Sequence, residues 1–198
     1  ILNSGAYDES FYANLWETIL AGNDWEHEMI DERKNGEKII LAQTIAPIET
    51  DDGNVEGFVA INRDITERKE QEKQLQIYEY ACNSAFSGIA IASLEGELRS
   101  VNPAFCEMWG YADRETVRGR SVTEFWNDPG AAAEVVAAIR ETGSWEGELE
   151  AVRQDGSTFL AYCSASYVKT DGGEPTALMS SFVDITERKK HERQLKQA

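Results

Sequence analysis

Two rhythms of apolar and polar residues alternate along the chain. Residues 11–21 (FYANLWETILA) place Phe11, Leu15, Ile19 and Leu20 on one face of a helix, which Gly22-Asn23 closes. Period-two segments follow. Residues 25–32 read as a strand, Asn35-Gly36 as a hairpin turn, 38–48 as a second strand, Asp51-Asp52-Gly53-Asn54 as another turn and 55–63 as a third strand. One helix and a three-stranded antiparallel meander are expected here. Residues 66–82 contain no Gly or Pro and are rich in Glu, Lys and Gln, which predicts a helix. Its seam of Ile65, Glu72, Leu75, Tyr78 and Cys82 is short and weakly apolar. A parallel coiled-coil contact and a solvated linker both fit it.

The second half starts with more elements. Residues 88–92 (GIAIA) and 97–101 read as paired strands around Glu95-Gly96. Asn102-Pro103 starts a helix that runs through Phe105 and Met108 to Trp109, and Gly110 stops it. A short helix near Asp113 precedes Gly119, and Asp128-Pro129 opens a longer one through Val135, Val136 and Ile139, ended at Gly143. A meander then returns at 144–152, 157–168 and 175–183, with turns at Asp155-Gly156 and Asp171-Gly172-Gly173. In its first strand Glu146, Glu148 and Glu150 alternate with Gly147, Leu149 and Ala151, so the carboxylates face water. In its second strand the row Phe159, Ala161, Cys163 and Ala165 is expected to face the interior.

The return is literal. Asp-Ile-Thr-Glu-Arg-Lys occurs at 64–69 and at 184–189, an offset of 184 − 64 = 120 residues. At the same offset Trp25 pairs with Trp145, Glu28 with Glu148, Arg33 with Arg153, Gly36 with Gly156, Asp51 with Asp171 and Leu75 with Leu195, without a gap. A fixed period without insertions means one structural unit used twice. Each hexapeptide stands where a strand gives way to a helix, with Asp and Thr as capping residues.

Composition narrows the function. With 41% hydrophobic and 10% aromatic residues in a chain of 198, each half can build a core. The formal charge of −17 disfavours nucleic acid and anionic membrane surfaces, which need a basic face. It favours solubility and fits a high-salt source as well as an ordinary cytoplasmic domain. No apolar run reaches the ~18 residues of a membrane-spanning helix, and no signal peptide is visible. Cys82, Cys106 and Cys163 are far apart and lie among apolar residues. They read as buried free thiols in a reducing cytoplasm, with neither a zinc site nor a disulfide framework. The start at Ile1 suggests a piece of a longer protein.

Asn102-Pro103-Ala104-Phe105-Cys106, Gly110-Tyr111, Gly119-Arg120-Ser121-Val122, Trp145, Asp155-Gly156 and the closing hexapeptide, taken in order, resemble a PAS domain. The resemblance implies an α+β fold: a five-stranded antiparallel sheet of order 2-1-5-4-3 with helices on one face, preceded by a partial meander. The expected division is 1–69 as the C-terminal half of a first PAS domain, 70–82 as a helical linker, 83–186 as a complete domain and 187–198 as the start of an exit helix. The resemblance also implies a sensory function, dimerisation and relay through helices to an output domain of the same polypeptide. A non-enzymatic sensory module and the regulatory part of a histidine kinase both fit it.

Cofactor chemistry is tested position by position. A flavin-adduct photosensor needs a cysteine where Val122 stands and amide side chains where Ala151 and Ala161 stand, and methyl groups cannot replace them. A haem-binding member needs a histidine on the helix at about 130–142, which has none. His27 is expected on the outward row of its strand. His191, in Lys-Lys-His-Glu-Arg, lacks the proline of a phosphoacceptor site. No catalytic motif, metal site or phosphate loop appears, so no cofactor is expected, although an unknown small ligand is possible. The pocket candidates are Trp109, Phe125, Val135, Ile139, Leu149, Ala151, Phe159, Ala161 and Ser180, which fit a plain core equally well. Asp64, Arg68, Asp184 and Arg188 are the candidates for coupling sheet to helix, with Asp184 either capping the exit helix or pairing with Arg188.

Overall fold

The computed structural model describes residues 7–197, which divide into two compact units, 7–77 and 78–197. In the first unit α1 (Glu9–Leu20) starts where the Asp8 carboxylate accepts the Phe11 amide at 3.1 Å, satisfying one of the four unpaired N–H groups of a helix start. Leu15 and Ile19, one turn apart, are the buried face of α1 and pack with Trp25, Phe11 and Ile45. The strands β1 (Trp25–Glu32), β2 (Lys38–Glu49) and β3 (Val55–Asp64) form an antiparallel sheet in that order, in register at Trp25↔Ile45 and Ile45↔Ala60. Gly36, at φ +85°, makes the tight turn between β1 and β2 that a residue with a Cβ would strain. The far edge of β3 has no partner strand among the described residues.

The second unit has eight principal elements: β4 (Gly88–Ala92), β5 (Leu98–Val101), α3 (Pro103–Trp109), α4 (Pro129–Thr142), β6 (Ser144–Val152), β7 (Thr158–Lys169), β8 (Pro175–Asp184) and α5 (Thr186–Gln197). The sheet order β5-β4-β8-β7-β6 is the 2-1-5-4-3 arrangement implied by the resemblance. Asn102 anchors the front of the unit. Its Oδ1 accepts the amides of Ile89 (2.8 Å) and Phe105 (3.0 Å), and its Nδ2 donates to the carbonyls of Cys82 and Ser87 (both 3.0 Å). A side-chain amide with its donors and acceptor engaged can be buried without a desolvation penalty, and Asn102 is buried. Asp128 caps α4 through the amides of Gly130 and Ala131, and Gly110 and Gly143 close α3 and α4 in the left-handed conformation.

As expected, Phe159, Ala161, Cys163 and Ala165 all face the interior, and Glu146, Glu148 and Glu150 are exposed. The observed strands fall within about two residues of those read from alternation. A 3-10 turn at Val122–Phe125 was not anticipated. Its signal is a capping box in which Ser121 and Glu124 bond each other's backbone amides.

The connecting helix α2 (Thr66–Asn83) buries no side chain; Leu75, Tyr78 and Tyr80 are exposed, as is Leu195 on α5. Among the described residues no helix is long and apolar enough to cross a membrane.

Candidate functional site

The second unit encloses a cavity of about 60 Å3 between its sheet and the helical layer. Ala90, Ala92, Cys163, Ala165 and Ser180 form a floor of small side chains, Phe105, Trp109, Phe125 and Trp126 an aromatic roof, and Val135, Ile139 and Leu149 a side wall. The roof is tightly built. Trp109 is fully buried and stacks on Phe105 at 4.2 Å, and its indole N–H donates to the Phe125 carbonyl at 3.2 Å. Its polar atom is therefore spent on the frame, and an apolar ring faces the cavity. The Cys163 thiol is pushed up to about 12 by burial, so it stays protonated and presents a weakly polar sulfur, not a nucleophile. Ser180 brings the other polar side chain.

Six of the nine pocket residues expected from the sequence lie on this wall: Trp109, Phe125, Val135, Ile139, Leu149 and Ser180. Ala151, Phe159 and Ala161 are buried but do not line it. Phe159 stands edge-on to Trp109 with centroids 5.1 Å apart, so it backs the indole instead of facing the space. Ala151 is bridged to Trp126, and Ala161 lies opposite Asp184 at the exit end of the sheet. Twelve wall residues were missing from the expected set, among them the small Ala90, Ala92, Cys163 and Ala165. The alternation of β4 and β7 already placed them on one face, and their small size is what leaves space.

The second feature is the junction of β8 with α5. The Asp184 carboxylate accepts the Thr186 amide at 2.9 Å and pairs with Arg153 at 3.0 Å. Thr186 Oγ1 accepts the Leu160 amide at 3.0 Å, the Ile185 amide donates to Leu160 O at 2.9 Å, and Lys189 pairs with Glu148 at 2.7 Å. Burial opposes ionisation of Asp184, but the bonds from Thr186 and Arg153 outweigh it and hold the carboxyl below its ordinary value. The cap is thus formed, but the pairing with Arg188 is not. Arg188 lies one helical turn from Glu192, 3.9 Å away, while Arg153, in the turn after β6, reaches Asp184.

The first unit repeats this junction at the same offset. Asp64 accepts the Thr66 amide at 3.0 Å and pairs with Arg33 at 2.7 Å, Thr66 Oγ1 accepts the Ile40 amide at 2.9 Å, and Lys69 pairs with Glu28 at 2.7 Å. Here the Thr66 hydroxyl and amide, then Arg33, lower the Asp64 carboxyl to about 2. Arg68 faces Glu72 at 2.9 Å along α2 and takes no part in the clamp.

The cavity has a counterpart too, lined by more exposed side chains. Tyr12, Leu15, Trp16, Ile19, Met29, Gln43, Ile45, Phe58, Ala60 and Asn62 line a groove between α1 and its sheet. Shifted by 120 residues they are Ala132, Val135, Val136, Ile139, Leu149, Cys163, Ala165, Leu178, Ser180 and Phe182, all on the cavity wall. Gln43 and Asn62 hydrogen-bond each other at 2.6 Å where the second unit has Cys163 and Phe182. His27 does not follow the outward row expected for it. It shares the parity of Trp25 and Met29, and its exposed ring stacks on Trp25 at 5.5 Å.

Comparison with known proteins agrees with this architecture. The family profile described as "PAS domain" matches residues 2–67 and 87–187. A nitrogen fixation regulatory protein of Klebsiella oxytoca is 26% identical over 76 residues; the match takes in 38% of this chain and 15% of that protein's length. A PAS domain from Colwellia psychrerythraea superposes with a TM-score of 0.53 at 22% identity, covering 58% of this chain and 98% of that one. The PAS domain of an HTR-like protein from Haloarcula marismortui gives 0.52 at 23%, covering 60% and 98%. An RNA-binding light-oxygen-voltage receptor gives 0.55 at 15%, covering 95% of this chain and 85% of that one. With two profile matches, a 2-1-5-4-3 sheet and a strand-to-helix clamp built twice, the chain belongs to the PAS domain family.

Proposed function

We infer that this chain is a sensory relay module in which a small, neutral, largely apolar molecule occupies the cavity of the second unit and alters the exit helix α5. One observation carries the reading: the sheet that floors the cavity also holds the start of α5, through Leu160, Glu148 and Asp184. The wall offers hydrocarbon, one serine hydroxyl and a protonated thiol, a lining suited to a ligand with at most one polar group. The regulatory role in the name of the Klebsiella relative supports a signalling context, and the chain spans only 15% of that protein.

The wider arrangement follows the same reading. Residues 1–69 act as the C-terminal half of a first PAS domain, 70–82 as a linker, 83–186 as a complete domain and 187–198 as the start of a signalling helix. The module is cytoplasmic, pairs with a second copy and drives an output domain of the same polypeptide, without contacting nucleic acid or membrane itself. Exposed Leu75, Tyr78 and Tyr80 on α2 support the pairing.

Xenon is a suitable probe, because an apolar cavity binds it without specific polar contacts. Under xenon pressure the methyl resonances of Val135, Ile139 and Leu149 should shift and saturate, and amide exchange over residues 186–195 should change with the same dependence. Ala165→Leu, which fills the floor, should abolish both. Saturation of the methyls with no change in α5 would overturn the reading.

A further inference from the structure

We propose that Arg153 is the positioning residue that carries the state of the cavity to α5. The proposal rests on the relay reading above and assigns the relay to one side chain. Arg153 lies in the turn between β6 and β7, outside the cavity wall, yet its guanidinium touches both ends of the route.

At the input end, its guanidinium carbon sits 4.1 Å over the Phe159 ring, and that ring stands edge-on to Trp109, part of the cavity roof, with centroids 5.1 Å apart. Its Nη1 also donates to the Met108 carbonyl, and the next residue, Gln154, donates its amide to Trp109 O at 2.9 Å. The last two carbonyls of α3, which no helical N–H can satisfy, are thus held by this turn. Any displacement of Trp109 by an occupant moves the groups that fix the guanidinium. At the output end, Arg153 Nη2 bonds Asp184 Oδ2 at 3.0 Å while Asp184 Oδ1 holds the Thr186 amide at 2.9 Å. The guanidinium fork is needed because a planar group with several fixed donors can serve a carbonyl, a carboxylate and a ring face at once.

The first unit contains a natural control. Arg33 occupies the equivalent position and makes the output contact, 2.7 Å to Asp64, but it also pairs with Glu37 in its own hairpin, at 3.5 Å. Ile39 stands in place of Phe159, so the Arg33 guanidinium has no aromatic face at that position. Arg33 is half exposed, whereas Arg153 is 27% exposed. The same residue therefore clamps a helix in both units, and only in the second does it also grip a cavity wall.

The test follows amide exchange over residues 186–195 in the full chain with and without saturating xenon, with the methyls of Val135 and Ile139 reporting occupancy. In the wild type and in Arg33→Gln, xenon should change exchange by about threefold or more, within the range of coupling through packed networks. In Arg153→Gln the methyls should still saturate while the exchange response disappears. Arg153→Lys provides a second variant that retains the charge opposite Asp184. It should keep α5 near wild-type protection without xenon and still lose the response, which loss of the clamp alone would not produce. A wild-type response that persists in both Arg153 variants overturns this assignment and leaves the relay reading standing. Occupancy without any response in the wild type overturns both.

Discussion

Residues 25–69 and 145–189 build the same three strands and the same exit clamp, yet the aromatic side chains lining the space beside them are buried in the second unit and more exposed in the first. Ten of the eighteen cavity residues match the groove residues at the 120-residue offset, and the other eight lie between Ala90 and Trp126, so most of the difference lies outside the shared strands. It originates in what lies beside them. In the second unit β4 pairs with β8, and β5 and α3 bring Phe105 and Trp109 over the floor. In the first unit β3 keeps an unpaired edge among the described residues, and Trp16 and Phe58 at the groove are 45% and 38% exposed. The clamp's bonds thus lie within the repeated meander and its exit helix, whereas the cavity also needs residues from β4, β5 and α3.

The sharpest way to break this comparison is to remove the roof. Trp109→Ala deletes a fully buried indole that contacts Phe105, Phe125, Trp126, Phe159 and Phe182. Such a truncation costs about 3–5 kcal/mol. The second unit should lose that stability while amides of β1–β3 keep their protection, as resolved by denaturant-dependent hydrogen exchange. Equal losses in both units would mean that they unfold together.

A smaller effect is expected where the two Trp residues meet different neighbours. The Trp145 ring lies over Gly147, and a Cβ there would come within 2.5 Å of the indole. At the equivalent place His27 stacks beside Trp25. Gly147→Ala should therefore displace the Trp145 ring and cost about 1–3 kcal/mol, as overpacking does. Trp145 fluorescence and a urea midpoint, in a variant whose other tryptophans are replaced by Phe, report both changes. Third in size is the cap. Asp184→Ala should cost about 1 kcal/mol and speed exchange over 186–195, and unchanged protection would remove Asp184 from the junction.

Much of this was legible from residue order, and the misses have physical causes. Strands and helix starts follow from alternation, Asn-Pro and Asp-Pro caps and turn glycines, which act within a few residues. The clamp was partly legible: the offset matched Arg33 with Arg153, but contact with Asp64 and Asp184 arises across the sheet, 31 residues away in each case. Arg188 looked the nearer partner because it is close in sequence, yet it lies along the helix from Asp184 and turns to Glu192. For the cavity, the small residues expected at Ala151 and Ala161 lie elsewhere in the sheet, and Ala90, Ala92, Cys163 and Ala165 leave the space instead. Phe159 was expected on the wall, but the Trp109 ring stands in front of it. His27 is solvent-exposed, as a solvated imidazole should be, although it shares the parity of Trp25: a polar side chain on the inward row of an open sheet can still reach water.

The finest distinction between the units concerns acid. Both clamp carboxyls are held below their ordinary value, so each stabilises its helix start fully above the unfolded Asp value of about 3.9 and loses that contribution as pH falls through the folded value. For Asp64, lowered to about 2, the loss falls between about pH 4 and pH 2. The two balances differ. Thr66 leads the lowering of Asp64, with Arg33 behind it, whereas Asp184 must first overcome burial before Thr186 and Arg153 bring it down. Removing the arginines should separate them. In Arg33→Gln the Asp64 carboxyl should remain below the ordinary range, since both Thr66 bonds persist. In Arg153→Gln burial acts against Thr186 alone, so the Asp184 carboxyl should rise more than Asp64 does in its own variant. Carboxyl carbon chemical shifts followed through the titration give both values directly. Equal rises in the two variants would mean that the second clamp is no more enclosed than the first, and the route from Trp109 to Thr186 would lose that support.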